Sequence, residues 1–250
     1  MQLKKRLLIS LIIVIAIVIG TGCMNVEKKL LADLESKYDK EFVIEHYDKG
    51  GLFYSSIPKG ITATAHIKGE EDVVFTIRER TREKGTFNDS YLLARWGKEL
   101  EVNLAEDIEK NLPEGAEYRV FLRSAADTFD ESMNDLQAEE FIQSNQDMAV
   151  VLLVSIKVLN EPDVEAYSEG IYNLYKLIQG LGTERYRVSV GFLDESEDIS
   201  NFLKTAFVNN IGWDNLNAKM YGVAYIDERF KDSITNSDAV VERYKTMEER

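Results

Sequence analysis

The chain has 250 residues, with 30 lysines and arginines against 44 aspartates and glutamates, a formal net charge of −14 at pH 7. So acidic a chain repels phosphate backbones and anionic lipid, which excludes nucleic-acid binding as its function class. A single cysteine, Cys23, leaves no disulfide framework and no cysteine-based metal site, and a chain of this length buries enough surface to fold without such staples.

The first segment reads as an address. Lys4, Lys5 and Arg6 precede Leu7 to Ile19, an apolar run broken only by Ser10 and Ala16. A basic start followed by an apolar core of about 7–15 residues is the pattern of an export signal. As a helix the run reaches only about 20 Å, short of the ~30 Å hydrocarbon core that needs about 20 residues, so a spanning anchor is the weaker reading. Gly20-Thr21-Gly22-Cys23 follows, small residues that let an extended strand enter a peptidase cleft. This stretch resembles the lipobox of bacterial lipoproteins, with Gly20 where that motif usually carries Leu. The resemblance implies a signal peptide over residues 1–22, and a Cys23 that carries diacylglycerol and palmitate and becomes the mature N-terminus.

Beyond Cys23 the pattern predicts an N-terminal α+β half over 23–123. Leu30, Leu31, Leu34 and Tyr38 fall at helical spacing directly after the cysteine, leaving almost no tether. Phe42 to Tyr47 reads as a short strand. Ile61 to Ile67 and Val73 to Ile77 read as a hairpin turning on Gly69. The stretch between, with Gly50-Gly51 and Pro58, reads as a long loop. Asn88-Asp89-Ser90 offers capping side chains ahead of Leu92, Trp96, Leu100, Leu104, Ile108 and Leu112, one long helix stopped by Pro113 and Gly115. Tyr118 to Leu122 then predicts the strand it packs on.

Residues 124–147 are polar and acidic, with Leu136 and Phe141 the main apolar anchors, and mark a connector between halves. The C-terminal half, 148–250, opens on Met148 to Leu159, apolar on both faces and therefore a central, covered strand. Pro162 starts a helix with Val164, Tyr167, Ile171, Leu174, Tyr175 and Ile178 on one stripe. Tyr186, Val188, Val190 and Phe192 alternate with Arg185, Arg187 and Ser189, predicting a half-exposed strand. A helix over 199–207, a strand over 220–226 and a closing helix over 238–250 complete the chain. The expected fold class is α+β: two small packed halves of helices on mostly antiparallel or mixed sheets after the signal segment.

One further stretch, Lys37-Tyr38-Asp39-Lys40-Glu41-Phe42-Val43, followed by the hairpin and the helix around Trp96, resembles uncharacterised Gram-positive (Bacillus-like) cell-envelope lipoproteins. The likeness spans about the first hundred residues and implies an envelope location. It carries no activity with it.

The chemistry-bearing residues are few. His46 and His66 are the two histidines, and as strand residues they are expected exposed or hydrogen-bonded rather than as a cross-strand metal pair. No HExxH, Gly-x-Ser-x-Gly, GxxxxGK[ST] or GxGxxG occurs, so zinc-peptidase, serine-hydrolase and nucleotide-hydrolysis readings lack their scaffolds. Asp130-x-Ser132-x-Asn134 begins like a calcium loop but has Asp135 where the glycine belongs and Phe141 where the bidentate glutamate belongs. Asp194-x-Ser196-x-Asp198 fails likewise at Ile199 and Thr205. Phe53, Tyr54 and Trp213 lie in loop-like contexts, where large rings either fold back onto their own domain or form a binding surface.

The expected function is thus a membrane-anchored extracytoplasmic lipoprotein with a non-catalytic binding or scaffolding role. It has no catalytic residues, cofactor or metal, and its partners are membrane lipid through the anchor and an envelope protein. The second reading is an immunity or inhibitor lipoprotein that sets its acidic face on a basic toxin or enzyme. A carboxylate- or metal-dependent hydrolase ranks last.

Overall fold

The computed structural model describes residues 26–49, 60–125, 128–209 and 212–249. The chain divides into two units: the described residues through Glu71 with Thr76–Asp89, and Asp72–Phe75 with the residues from Ser90 onward.

In the first unit, helix α1 is described over 26–38 and buries Leu30, Leu34 and Tyr38, three of the four residues of the expected stripe. It ends where Asp39 adopts a left-handed φ of 51°, a conformation that a short polar side chain tolerates at a helix C-terminus. Its last turn is held by charge. Lys37 Nζ lies 2.6 Å from Asp33 and 3.1 Å from Asp89, and Tyr38 donates to the other Asp89 oxygen at 2.8 Å. Apart from Asp72–Phe75, the unit also holds the strands of a four-stranded sheet in the order β1 (Phe42–Asp48), β2 (Thr62–Ile67), β3 (Glu70–Glu79), β4 (Phe87–Asp89). β1 and β2 are antiparallel. β2 passes into β3 through Lys68 and Gly69, the glycine at φ +88°, as the hairpin reading expects. β4 replaces the expected capping segment: Asn88 and Asp89 pair with Arg78 and Ile77, and Ser90 stands at the N-cap of the next helix without a side-chain capping bond to its amides.

The second unit is built on a five-stranded mixed sheet in the order β5 (Glu117–Arg123), β6 (Ala149–Val158), β7 (Arg185–Asp194), β8 (Met220–Asp227), β9 (Tyr244–Thr246). β6 and β7 are parallel and joined through helix α5 (Glu165–Gln179), and the other pairings are antiparallel. The apolar run of β6 is central and covered, because Val150, Leu152, Val154 and Ile156 face one side while Val151 and Ser155 are buried on the other. α5 buries Ile171, Leu174, Tyr175 and Ile178 on the stripe read from its spacing. The fold is therefore α+β, with helices set on two mostly antiparallel or mixed sheets.

Several expectations change. The long helix after Ser90 divides into α2 (Tyr91–Asn103) and α3 (Ala105–Glu109). The ladder runs on through the joint, Leu104 N–H to Leu100 O at 2.9 Å and Ile108 N–H to Leu104 O at 2.8 Å, so only the Leu104 dihedrals depart. Within the stretch read as a connector, α4 (Ala138–Ser144) buries Ala138, Phe141 and Ile142, and α2 and β5 are grouped with the second unit. α2 holds the segment before α4, since Trp96 Nε1 donates to the Leu136 carbonyl at 2.8 Å and Arg95 reaches the Asn134 and Leu136 carbonyls. β7 is buried on both faces instead of half-exposed. The closing helix shrinks to α7 (Asp238–Val241), and Tyr244–Thr246 becomes β9 because β8 supplies a non-local pairing partner, Ala224 opposite Tyr244.

α2 lies close along β5. A methyl group at Gly97 would stand 2.7 Å from the Val120 carbonyl oxygen, so glycine is required there for the approach.

Candidate functional site

Cys23, Phe53 and Tyr54, and the signal segment 1–22, lie outside the described residues. Trp213 is described, and it is core. It starts a short 3-10 turn and is 3 % exposed, packed with Leu193, Ile199, Leu203 and Val223, with the Phe202 ring 5.0 Å away between centroids. Its indole N–H donates to Ser189 Oγ at 2.9 Å, and the ring lies close enough over β7 that a methyl at Gly191 would come within 2.9 Å of it. Of the two readings open for Trp213, the ring folds back onto its own domain and seals the second face of β7. Helix α6 (Ser200–Asn209) supplies Phe202 and Leu203 to the same cluster, which explains why Ser189 and Leu193 are buried where alternation predicts exposure.

The histidines are not set opposite one another. His66 pairs across strands with Val43 and His46 with Thr64. His66 Nδ1 lies 3.1 Å from Glu45 Oε1, a hydrogen bond on a residue only 9 % exposed. Among the described residues no group of three or more metal-ligating side chains comes together.

The two calcium-like loops close on themselves. Asp130 accepts from the Ser132 N–H at 2.9 Å and from its hydroxyl, capping a 3-10 turn. Asp194 accepts from Lys219 Nζ at 2.5 Å, Ser196 Oγ at 2.6 Å, the Ser196 N–H at 3.2 Å and Tyr221 Oη at 3.0 Å. These donors, Lys219 first, hold its carboxyl far below the usual carboxylate range. Asp194 ties the end of β7 to the start of β8, and its lone pairs are occupied.

A charged recess lies in the second unit where α2 meets β5. Its volume is about 30 Å³, room for a water-sized group, and its polar wall is Asp72, Lys98, Glu101 and Arg119 with Phe121 and Phe207 beside them. Glu101 is 6 % exposed and central to the wall. Its Oε1 accepts from Lys98 Nζ at 2.8 Å and Arg119 Nη1 at 3.2 Å, and its Oε2 from the Val120 N–H at 3.3 Å. Lys98 also bridges to Asp72 at 2.8 Å. Burial works against the Lys98 ammonium, but the bonds to Asp72 and Glu101 outweigh it and hold its pKa above the ordinary value. The Lys98 hydrogen bond depresses that of Asp72. A carboxylate engaged on both oxygens by two cations and a backbone donor is a structural acceptor. Sequence spacing gives no sign of it, because Lys98 and Glu101 look like an ordinary i, i+3 pair on a solvated helix face.

No protein-family model matches the sequence, and no curated protein matches it significantly. Among solved structures the chain is similar to a DUF5037 family protein from Ruminococcus gnavus ATCC 29149, with 16 % identity and a TM-score of 0.48 over 81 % of this chain and 90 % of that one.

Proposed function

We propose that this protein is a lipoprotein held by diacylglycerol on Cys23 at the extracytoplasmic face of the cell membrane, where it binds or scaffolds another envelope protein without catalysing a reaction. The observation that carries this reading is the closeness of fold to anchor. Cys23 follows a basic start, an apolar core and a run of small residues, and α1 is already helical at residue 26, three residues on. Three residues span at most about 10 Å, so the anchored cysteine would hold the first unit close to the bilayer surface. Leu30, Leu34 and the Tyr38–Asp89 bond fix α1 to its sheet, which makes the helix part of the folded body instead of a stalk.

Labelling growing cells with a palmitate analogue and substituting Cys23→Ala tests the anchor. The native chain takes up label and fractionates with membranes, and the variant stays unlabelled. Equal labelling of both would overturn the anchor. Cross-linking in intact cells tests the binding role. The expected product is one protein captured through the native chain and lost when the anchored chain is released. Turnover of a peptide, glycan or phosphoester by the purified chain, abolished by a point substitution, would overturn the non-catalytic reading.

A further inference from the structure

The first unit gathers positive charge in one place. Arg78, Arg80, Arg82 and Lys84 run from the end of β3 through the turn into β4, and all four are exposed. Glu79 and Glu83 are the carboxylates among them. Lys28 and Lys29 are exposed on the first turn of α1, beside Glu27. Together the two stretches hold six cations against three carboxylates, in a chain that carries 30 against 44 overall.

The two stretches meet in space. α1 lies on β4, since Lys37 Nζ donates to the Phe87 carbonyl at 3.0 Å while Lys37 and Tyr38 both hold Asp89. About two turns nearer the start of α1, Lys29 bears on Glu79, the residue that β3 sets opposite Phe87. Glu79 is itself spent on the backbone: Oε2 accepts the Ile61 N–H at 3.0 Å and Oε1 the Gly85 N–H at 2.9 Å. Those two amides first, and then the charges of Lys84 and Lys29, hold its carboxyl below the ordinary value against its desolvation. The turn is closed by its own backbone. The Arg80 N–H donates to the Thr86 carbonyl at 2.9 Å, the Thr86 N–H donates to the Glu83 carbonyl at 3.1 Å, and Gly85 takes a φ of +86°. Glu83 stands 3.7 Å from Arg80, so the surplus charge of the turn is carried by Arg82 and Lys84 at its tip.

The start of α1 is also where the chain comes nearest to its cysteine, with Lys29 six residues after Cys23. A free protein of this net charge is repelled by an anionic bilayer. An anchor changes the balance, because it makes the contact intramolecular and a few cations held against the headgroups then suffice. Attraction between fixed charges fades within about 8 Å at physiological ionic strength, so the cations nearest the anchor count and acidic groups farther off are screened. Exposed lysines and arginines spread over a helix start and a turn suit a layer of lipid phosphates, which can rearrange beneath them. We propose that this part of the first unit seats on anionic phospholipid, with Lys28, Lys29, Arg80, Arg82 and Lys84 toward the headgroups, and so fixes how the first unit lies on the membrane. The inference rests on the anchoring reading, which supplies the proximity, and adds to it the surface that meets the lipid.

Energy transfer from the turn to the bilayer tests this. The chain purified from membranes, with a dye placed through Thr81→Cys, is reconstituted into phosphatidylcholine vesicles with or without phosphatidylglycerol, the acceptor being carried on headgroups. The expected result is transfer about twofold higher on the phosphatidylglycerol vesicles, falling to the phosphatidylcholine level in about 1 M salt, where the Debye length is about 3 Å. Arg82→Gln combined with Lys84→Gln should remove at least half of the gain. Arg82→Lys should keep it, because headgroup attraction follows charge and not the planar fork. Both positions are exposed on the turn, so these variants keep the fold, which an unchanged thermal midpoint verifies. Mass spectrometry of the same sample reads Cys23 separately. A sulfur without lipid overturns the anchoring reading and this inference with it. Equal transfer on the two vesicle types from a chain that does carry the lipid overturns this inference alone. So does a gain untouched by the Arg82 and Lys84 substitutions. Equal transfer together with an acidic protein cross-linked from position 81 in cells would assign the cations to that protein instead.

Discussion

Trp96 on α2 and Phe141 on α4 stack almost parallel, with ring centroids 4.1 Å apart and an interplanar angle of 16°. Both rings are fully buried, and Phe129 meets Phe141 edge-on at 6.5 Å. The acidic stretch around α4 is thereby fastened to the second unit by one aromatic contact and the carbonyl bonds beside it. Phe141→Ala is expected to lower the stability of the full chain by about 3–5 kcal/mol. Urea denaturation followed by tryptophan fluorescence checks this, and a loss below about 1 kcal/mol would mean that the segment is held by something other than this stack.

Gly191 and Trp213 should be energetically coupled. A methyl group at Gly191 has no room beneath the indole, so Gly191→Ala costs about 1–3 kcal/mol in the native background. In a Trp213→Leu background the smaller side chain relieves the clash, and the same substitution should cost little. A double-mutant cycle reads the difference, and strictly additive losses would contradict the contact.

Glu101 is expected to protect a single backbone amide. Glu101→Ala removes the acceptor of the Val120 N–H and leaves Lys98 and Arg119 without their shared carboxylate, at a cost of about 1–3 kcal/mol. Hydrogen exchange should show Val120 losing protection beyond the global change. Uniform loss along β5 would leave Glu101 no specific role there.

Acid should weaken the clamp on Asp227, whose two oxygens each lie 3.0 Å from Arg229 Nε. Its folded pKa lies below the unfolded value of about 3.9, so the unfolded chain binds the proton first. The contribution to stability is complete above that value and is lost as pH falls through the lower, folded one. Asp227→Asn should flatten the acid limb of a stability–pH curve below about pH 4 while lowering stability at neutral pH. An unaltered acid limb would show that other carboxylates govern it.

Elements whose partners are close in sequence are legible from the chain alone. The α5 stripe, the turn at Gly69 and the two-faced apolar run of β6 each announce themselves within a dozen residues, because burial there follows local periodicity. What escapes depends on pairing at a distance. Tyr244–Thr246 carries the spacing of a helix and becomes a strand only because β8 has an open side, and Phe87–Asp89 has good capping chemistry yet joins β3. The exposed face expected of β7 is a correct alternation whose outer side Trp213 and α6 cover.

The lateral boundaries of the five-stranded sheet carry a consequence for self-association. Strands at such boundaries normally expose unpaired amides that can template a second molecule. At β5 the close approach of α2 at Gly97 occupies that space, and the Glu101 carboxylate takes the Val120 amide. At the opposite boundary β9 is three residues long, too short to seed an extended ladder. Crowded copies of this sheet are thus denied the main route by which β-structure polymerises.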